Sequence, residues 1–237
     1  MLAKTWFGFD LDDTLHEFRK ASGAATLASL RLIETKRNIP IENLKASYNE
    51  ISKMKTAQAF TDGKTSDEYR KERFTAVVET FNVPTTEAFL DELAATYKAV
   101  LGDSLEPKPG AISLLRYLRS IGKKIVVITE GPQDAQEWAI QKLGFEVDFL
   151  ATTNVFGVSK IEGLFGRVLE SLGIEAKDIL YVGDSEDRDV KPARMQGILT
   201  VQYDEKGGVV LHAEEMKIDA LWKLEENLRG EKEHALV

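Results

Sequence analysis

Five short apolar runs, separated by segments of helical period, constrain this 237-residue chain more than any other feature. They are Trp6-Phe7-Gly8-Phe9, Ile125-Val126-Val127-Ile128, Phe149-Leu150-Ala151-Thr152, Ile179-Leu180-Tyr181-Val182 and Ile198-Leu199-Thr200-Val201. Runs this short and this apolar read as strands buried on both faces. Between them lie helical stretches: one carrying Ile112, Leu115 and Leu118, then Gln133 to Leu143, Ile161 to Leu172, and a short one around Pro192 to Gln196. Strands alternating with helices predict a parallel, Rossmann-like α/β sheet with helices on both faces.

Between the first and second strands the pattern changes to helices alone. One carries Ala24, Leu27, Leu30 and Ile33; a second starts at Pro40 and carries Leu44, Tyr48 and Ile51. A third opens on the capping box Thr65-Ser66-Asp67-Glu68 and carries Phe74, Val77, Val78 and Phe81. The fourth follows Pro84 with Leu90, Leu93, Tyr97 and Val100. Each stripe repeats every three or four residues, so each helix buries one face. The expected organisation is an α/β core of residues 1–17 and 103–237, with an all-helical cap of 18–102 inserted in it. From Glu214 onward, Ile218, Leu221 and Leu228 suit a packed helix fraying at Glu231 to His234.

Chemistry concentrates where the strands end. Asp10-Leu11-Asp12-Asp13-Thr14 puts three carboxylates within four positions straight after an apolar strand. Such crowding needs a compensating cation, and ligands of this sheet type bind beyond the carboxyl ends of the strands. If the chain stays extended, Asp10 and Asp12 face the same side, as a nucleophile and an acid/base would. An acidic turn capping a helix would contain the same residues. Gly183-Asp184-Ser185-Glu186-Asp187-Arg188-Asp189 follows the fourth strand, and one or two carboxylates with phosphate and water satisfy Mg²⁺. Helix capping alone is the other reading there. Thr129 and the amides of Glu130 and Gly131 could cradle phosphate. Lys160, opening a helix, could stabilise charge on a carboxylate or phosphoryl group, with Lys191 in reserve.

In this order the residues resemble the haloacid-dehalogenase-like hydrolase superfamily over essentially the whole chain. Asp10 to Thr14 looks like its first motif, Thr129 its second, Lys160 its third, and Gly183-Asp184 with Asp189 its fourth. The helical insertion is similar to the cap of one subgroup. The resemblance implies that Asp10 attacks phosphorus and becomes aspartyl-phosphate, with Asp12 as acid and then base. It implies that Thr14 and Thr129 hold phosphate oxygens and that Lys160 pairs with Asp10. It also implies Mg²⁺ on Asp10, the main-chain carbonyl of Asp12, Asp184 and Asp189. Dehalogenases of the superfamily need neither Mg²⁺ nor the second carboxylate, so Asp12 and Asp184 favour phosphoryl chemistry. Phosphomutases keep both, and a non-catalytic binding protein would be expected to have degraded motifs. Two departures stand out: Glu130 adds negative charge beside the phosphate site, and Ile161-Glu162 replaces the usual Pro-Asp-Pro after the lysine.

Net charge of −8, from 31 basic and 39 acidic side chains, argues against a nucleic-acid backbone as partner. The absence of cysteine excludes thiolate nucleophiles, disulfides and Cys-based zinc sites. With no signal-peptide or membrane-spanning pattern, the chain is expected to be cytoplasmic, a monomer or homodimer acting on a small phosphorylated metabolite. Lys53, Lys55, Tyr69, Arg70, Lys71 and Arg73 are the polar candidates in the cap, Arg73 being taken as substrate-binding. His16 and Trp138 read as flap and core residues.

Overall fold

A computed structural model of the chain describes residues 1–56, 60–212 and 215–235. Its strands are β1 (Trp6–Phe9), β2 (Lys124–Thr129), β3 (Phe149–Thr152), β4 (Ile179–Gly183), β5 (Leu199–Tyr203), β6 (Val210–His212) and β7 (Glu215–Ile218). They form one sheet in the order β3-β2-β1-β4-β5-β7-β6, parallel except for the β6–β7 pair at the edge. Strand β1 therefore lies inside the sheet, and its neighbours β2 and β4 bring their carboxyl ends beside its own.

Strand alternation divides the core. Phe7 and Phe9 face a layer containing α5 (Ala111–Ser120), α6 (Gln133–Leu143) and α10 (Leu221–Ala235), through Leu114, Leu118, Ile140, Leu221 and Leu224. Trp6, Val126, Ile128, Ile179 and Tyr181 face the opposite layer, with Phe156 of the short α7 (Thr153–Phe156), Val168 of α8 (Phe165–Leu172) and Ala193 of α9 (Lys191–Met195). Both faces being covered explains why the strands read as unbroken apolar runs. Gly8 is glycine for a packing reason: a Cβ there would lie 2.9 Å from Cδ2 of Tyr181 on the adjacent strand. That space lets the Tyr181 ring lie fully buried, edge-on to Phe165 at 4.8 Å.

The insertion between β1 and β2 comprises α1 (Phe18–Arg37), α2 (Ile41–Thr56), α3 (Ser66–Glu79) and α4 (Glu87–Ser104). These helices have a core of their own around Leu30, Ile33, Leu44, Phe74, Val77 and Leu93. Ala24 is exposed, and Ala21 and Ala25 are the alanines of α1 that pack. The Thr65 hydroxyl accepts from the Glu68 amide at 3.3 Å while Glu68 accepts from the Thr65 amide at 2.7 Å, completing the capping box. Asp134 of α6 accepts from the Ser66 amide at 2.9 Å and its hydroxyl at 2.6 Å, tying the start of α3 to the sheet layer.

Two segments differ from the sequence reading. Glu214 lies outside the described residues, but 215–218 is strand β7 rather than the start of the tail helix. Met216 and Ile218 are buried and Ile218 pairs in register with Tyr203, so a four-residue alternation was hidden beside a helical one that begins at Leu221. The expected helix from Ile161 is also interrupted: Lys160–Leu164 forms a wide π-type turn with Gly163 at φ 122°, and regular helix starts at Phe165. No helix among the described residues is long and apolar enough to cross a membrane.

Candidate active site

The Asp10 amide donates to the Val182 carbonyl at 2.9 Å, extending the sheet one step beyond β1 and fixing Asp10 at its carboxyl end. The chain then turns sharply. The amides of Leu15 and His16 converge on the Leu11 carbonyl at 3.0 and 3.3 Å, and Asp13 takes a left-handed φ of 63°. This loop leaves Asp10, Asp12 and Asp13 lining one cavity of about 300 Å³ between the sheet and the helical insertion.

At its floor the Lys160 ammonium donates to Asp10 Oδ1 and Asp189 Oδ1, both at 2.5 Å. All three residues are 5% exposed or less, so the charges meet in a nearly dry site. Asp189 is held from two more directions, by the Tyr181 hydroxyl at 2.8 Å and the Ser185 amide at 3.1 Å. The small Gly8 thus acts at a distance, because the ring it accommodates carries that hydroxyl. Gly183 lets Asp189 approach: a Cβ on it would come within 2.5 Å of the Asp189 Cβ. Thr14 donates to Asp10 Oδ2 at 3.3 Å from a fully buried position.

Burial pushes the Asp10 carboxyl well above the usual carboxylate range; Lys160 pulls the other way, while Asp189 and Asp12 add to the rise. Burial, reinforced by Asp189, raises Asp184 as well, and burial raises Asp13. Burial works against the charge on Lys160, yet its two carboxylates outweigh that and hold it above the usual lysine value. A site that raises several carboxyls together lacks positive charge. Asp10, Asp184 and Asp189 each offer an oxygen within 4.8 Å of the others, a donor set suited to a hard divalent cation.

Asp10, Asp12, Thr129, Glu130, Gly131, Lys160, Asp189 and Arg73 all line the cavity; Thr14 and Asp184 do not line it and meet the site through Asp10, by the Thr14 hydrogen bond and the shared carboxylate cluster. The Thr129 hydroxyl is buried without a partner among the described residues, whereas the Gly131 amide already donates to the Thr153 hydroxyl at 3.3 Å. Glu130 accepts from the Lys160 amide at 3.3 Å and faces Arg188 at 3.6 Å. Lys191 is outside the cluster, paired with Asp187 at 2.7 Å. Of the other polar residues singled out in the insertion, Tyr69 and Arg70 line the cavity, Lys71 pairs with Glu87 and Asp91 on the outer surface, and Lys53 is exposed. The side chain of Lys55 lies outside the described residues.

Several participants escaped sequence reasoning. His16 is buried, and its Nε2 lies 2.9 Å from Asp12 Oδ1. Arg19 contacts Asp13 at 3.1 Å and Asp184 at 3.0 Å, linking the two acidic loops. His16 stands four residues from Asp12, but in a loop, where that spacing carries no signal; Arg19 and Asp184 are 165 residues apart.

A model for haloacid dehalogenase-like hydrolases matches residues 5–197. The glyceraldehyde 3-phosphate phosphatase of Methanocaldococcus jannaschii is 32% identical over 198 residues, which are 82% of each chain. Among solved structures, the HAD-hydrolase YfnB of Bacillus subtilis, bound to magnesium, superposes with a TM-score of 0.70 at 24% identity, covering 95% of this chain and 99% of that one. The L-2-haloacid dehalogenase PA0810 gives 0.71 at 17% identity, covering 96% and 99%, a likeness of fold alone. With the motif residues gathered at adjoining strand ends and most of the chain matched by the family model, the chain belongs to the haloacid dehalogenase-like hydrolases.

Proposed function

We propose that the protein is a Mg²⁺-dependent phosphomonoesterase that passes the phosphoryl group of a small metabolite to Asp10 and then to water. The observation that carries this reading is the buried Lys160 ammonium bridging Asp10 and Asp189, with Asp184 completing a three-carboxylate set. Asp10, Asp184, Asp189 and the main-chain carbonyl of Asp12 would hold the cation. When bound, it neutralises the crowded carboxylates and stabilises charge on the phosphoryl oxygens.

In the first displacement an Asp10 oxygen attacks phosphorus, the ester P–O bond breaks, and Asp12 gives its proton to the leaving alkoxide. In the second, water attacks the aspartyl-phosphate, Asp12 takes its proton, and phosphate leaves with Asp10 restored. Splitting hydrolysis this way replaces one difficult step by two easier ones. Lys160 orients Asp10 and faces the charge that spreads over the transferring group. The partnerless Thr129 hydroxyl suits a phosphate oxygen. Thr14, already bonded to Asp10, orients the nucleophile. His16 holds Asp12 toward the leaving group.

Asp12 separates this reading from dehalogenation, which gains nothing from an acid two positions beyond the nucleophile. Residues 18–102 act as the cap over a core of 1–17 and 103–237, covering the site and excluding water during transfer. A three-carbon phosphate leads the substrates to test, because the archaeal relative is named for glyceraldehyde 3-phosphate. Hydrolysis of an aryl phosphate is expected to require Mg²⁺ and to stop with EDTA. Undiminished phosphate release in EDTA would sink the metal-dependent reading.

A further inference from the structure

The cavity is lined by five arginines and lysines: Arg19, Arg70, Arg73, Lys160 and Arg188. Four of them have ion pairs. Lys160 serves Asp10 and Asp189, Arg19 serves Asp13 and Asp184, Arg188 faces Glu130, and Arg70 reaches Asp67 at 2.8 Å. Arg73 has no carboxylate partner among the described residues; its hydrogen bond goes to the neutral Tyr48 hydroxyl at 3.1 Å, and its Nε is buried without a partner. The acids of the floor do not need it, since each has a cation or His16 beside it. A partly buried guanidinium with an unused donor is costly unless a ligand completes it.

Two further lining side chains present polar atoms in the same condition. The Tyr69 hydroxyl and Gln136 Oε1 are both buried without partners among the described residues. Tyr69 and Arg73 are one helical turn apart on α3, so they project from one face. Buried polar groups in native proteins are nearly always satisfied, so this concentration marks where a ligand binds. We propose that the leaving group of the substrate carries a carboxylate, received by Arg73 and the Tyr69 hydroxyl, with a neighbouring hydroxyl donating to Gln136. The substrate class is thus a short phosphorylated hydroxy acid, of a size suited to a cavity of about 300 Å³. This inference rests on the phosphatase reading above and deepens it.

The test compares kcat/KM for 3-phosphoglycerate, glyceraldehyde 3-phosphate and glycerol 3-phosphate, one skeleton ending in carboxylate, aldehyde or alcohol. A charge-assisted contact at a buried site predicts about a 10- to 100-fold preference for the acid over the alcohol. Arg73→Gln is expected to bring that ratio close to unity, and Arg73→Lys to recover part of it. An aldehyde or alcohol turned over as well as the acid, or Arg73→Gln slowing all three equally, overturns the carboxylate subsite and leaves the phosphatase reading standing. If the wild-type enzyme hydrolyses none of them, that reading is in difficulty, and calorimetric binding of the same series to Asp10→Asn still decides the subsite: equal affinities overturn it.

Discussion

Replacing Lys160 by methionine keeps the aliphatic stem and removes only the charge, so Lys160→Met tests how the site is held together. The ammonium is 3% exposed and lies 2.5 Å from both Asp10 and Asp189, themselves 5% and 1% exposed. Removing one member of a buried ion pair costs about 3–5 kcal/mol, because the other charge is left without compensation. For a chain of 237 residues, at about 2–4 °C per kcal/mol, this corresponds to a fall in Tm of about 6–20 °C in metal-free buffer. The loss has a definite pH dependence. Burial raises the Asp10 carboxyl and Lys160 pulls it down, so without the ammonium Asp10 titrates higher still in the folded state, and stability present at low pH is lost as pH rises through that folded value. The gap between wild type and variant should therefore be wider at pH 8 than at pH 5. Turnover should fall by about 10²–10³, the usual loss when one pre-organised donor to transition-state charge is removed. The assays are calorimetric melting in EDTA at both pH values and steady-state kcat with Mg²⁺. A Tm within about 2 °C of wild type at pH 8, with kcat within about threefold, would show that the Lys160 charge does not hold Asp10 and Asp189 together.

Mg²⁺ should raise the Tm of the wild-type protein, by about 2.7 kcal/mol of stability at a concentration 100 times its Kd. Burial already holds Asp10 and Asp184 above the usual carboxylate range, so metal-free stability declines as pH rises through their folded values; the Mg²⁺ increment, which needs ionised ligands, should grow over the same interval. Asp184→Ala should shrink that increment and weaken the Mg²⁺ dependence of turnover, and an unchanged metal titration would remove Asp184 from the ligand set. Gly183→Ala drives a methyl group against the Asp189 Cβ, so Asp189 must shift away from Lys160; turnover should drop at least tenfold and Tm should fall by the equivalent of about 1–3 kcal/mol. Wild-type melting and kinetics in that variant would show that the approach of Asp189 is unimportant.

What could be read from the chain follows physical lines. Asp10, Thr129 and Gly183-Asp184 stand directly after apolar runs, so strand assignment alone carried them to one edge of one sheet. Lys160 was reachable only through the order of the motifs, since a lysine at the start of a helix is ordinarily solvated and the turn it opens is not regular helix. Tyr181 read as core, and its hydroxyl bond to Asp189 depends on space left by a glycine on another strand. The polar positions Ser66, Tyr69, Arg70 and Arg73 recur at helical spacing, yet whether such a stripe faces water or a cavity is decided by where the helix docks. Strands β6 and β7 were missed because three or four residues of alternation are too few to outweigh the helical pattern that follows.

If Asp10 is phosphorylated during turnover, the acyl phosphate can be trapped chemically. Borohydride added during turnover of an aryl phosphate reduces an acyl phosphate to an alcohol, which peptide mass spectrometry locates. Homoserine is expected at position 10, formed only while Mg²⁺ and substrate are both present. An unmodified Asp10 in an enzyme that is turning over and efficiently quenched, or reduction at a different carboxylate, would contradict phosphorylation at Asp10.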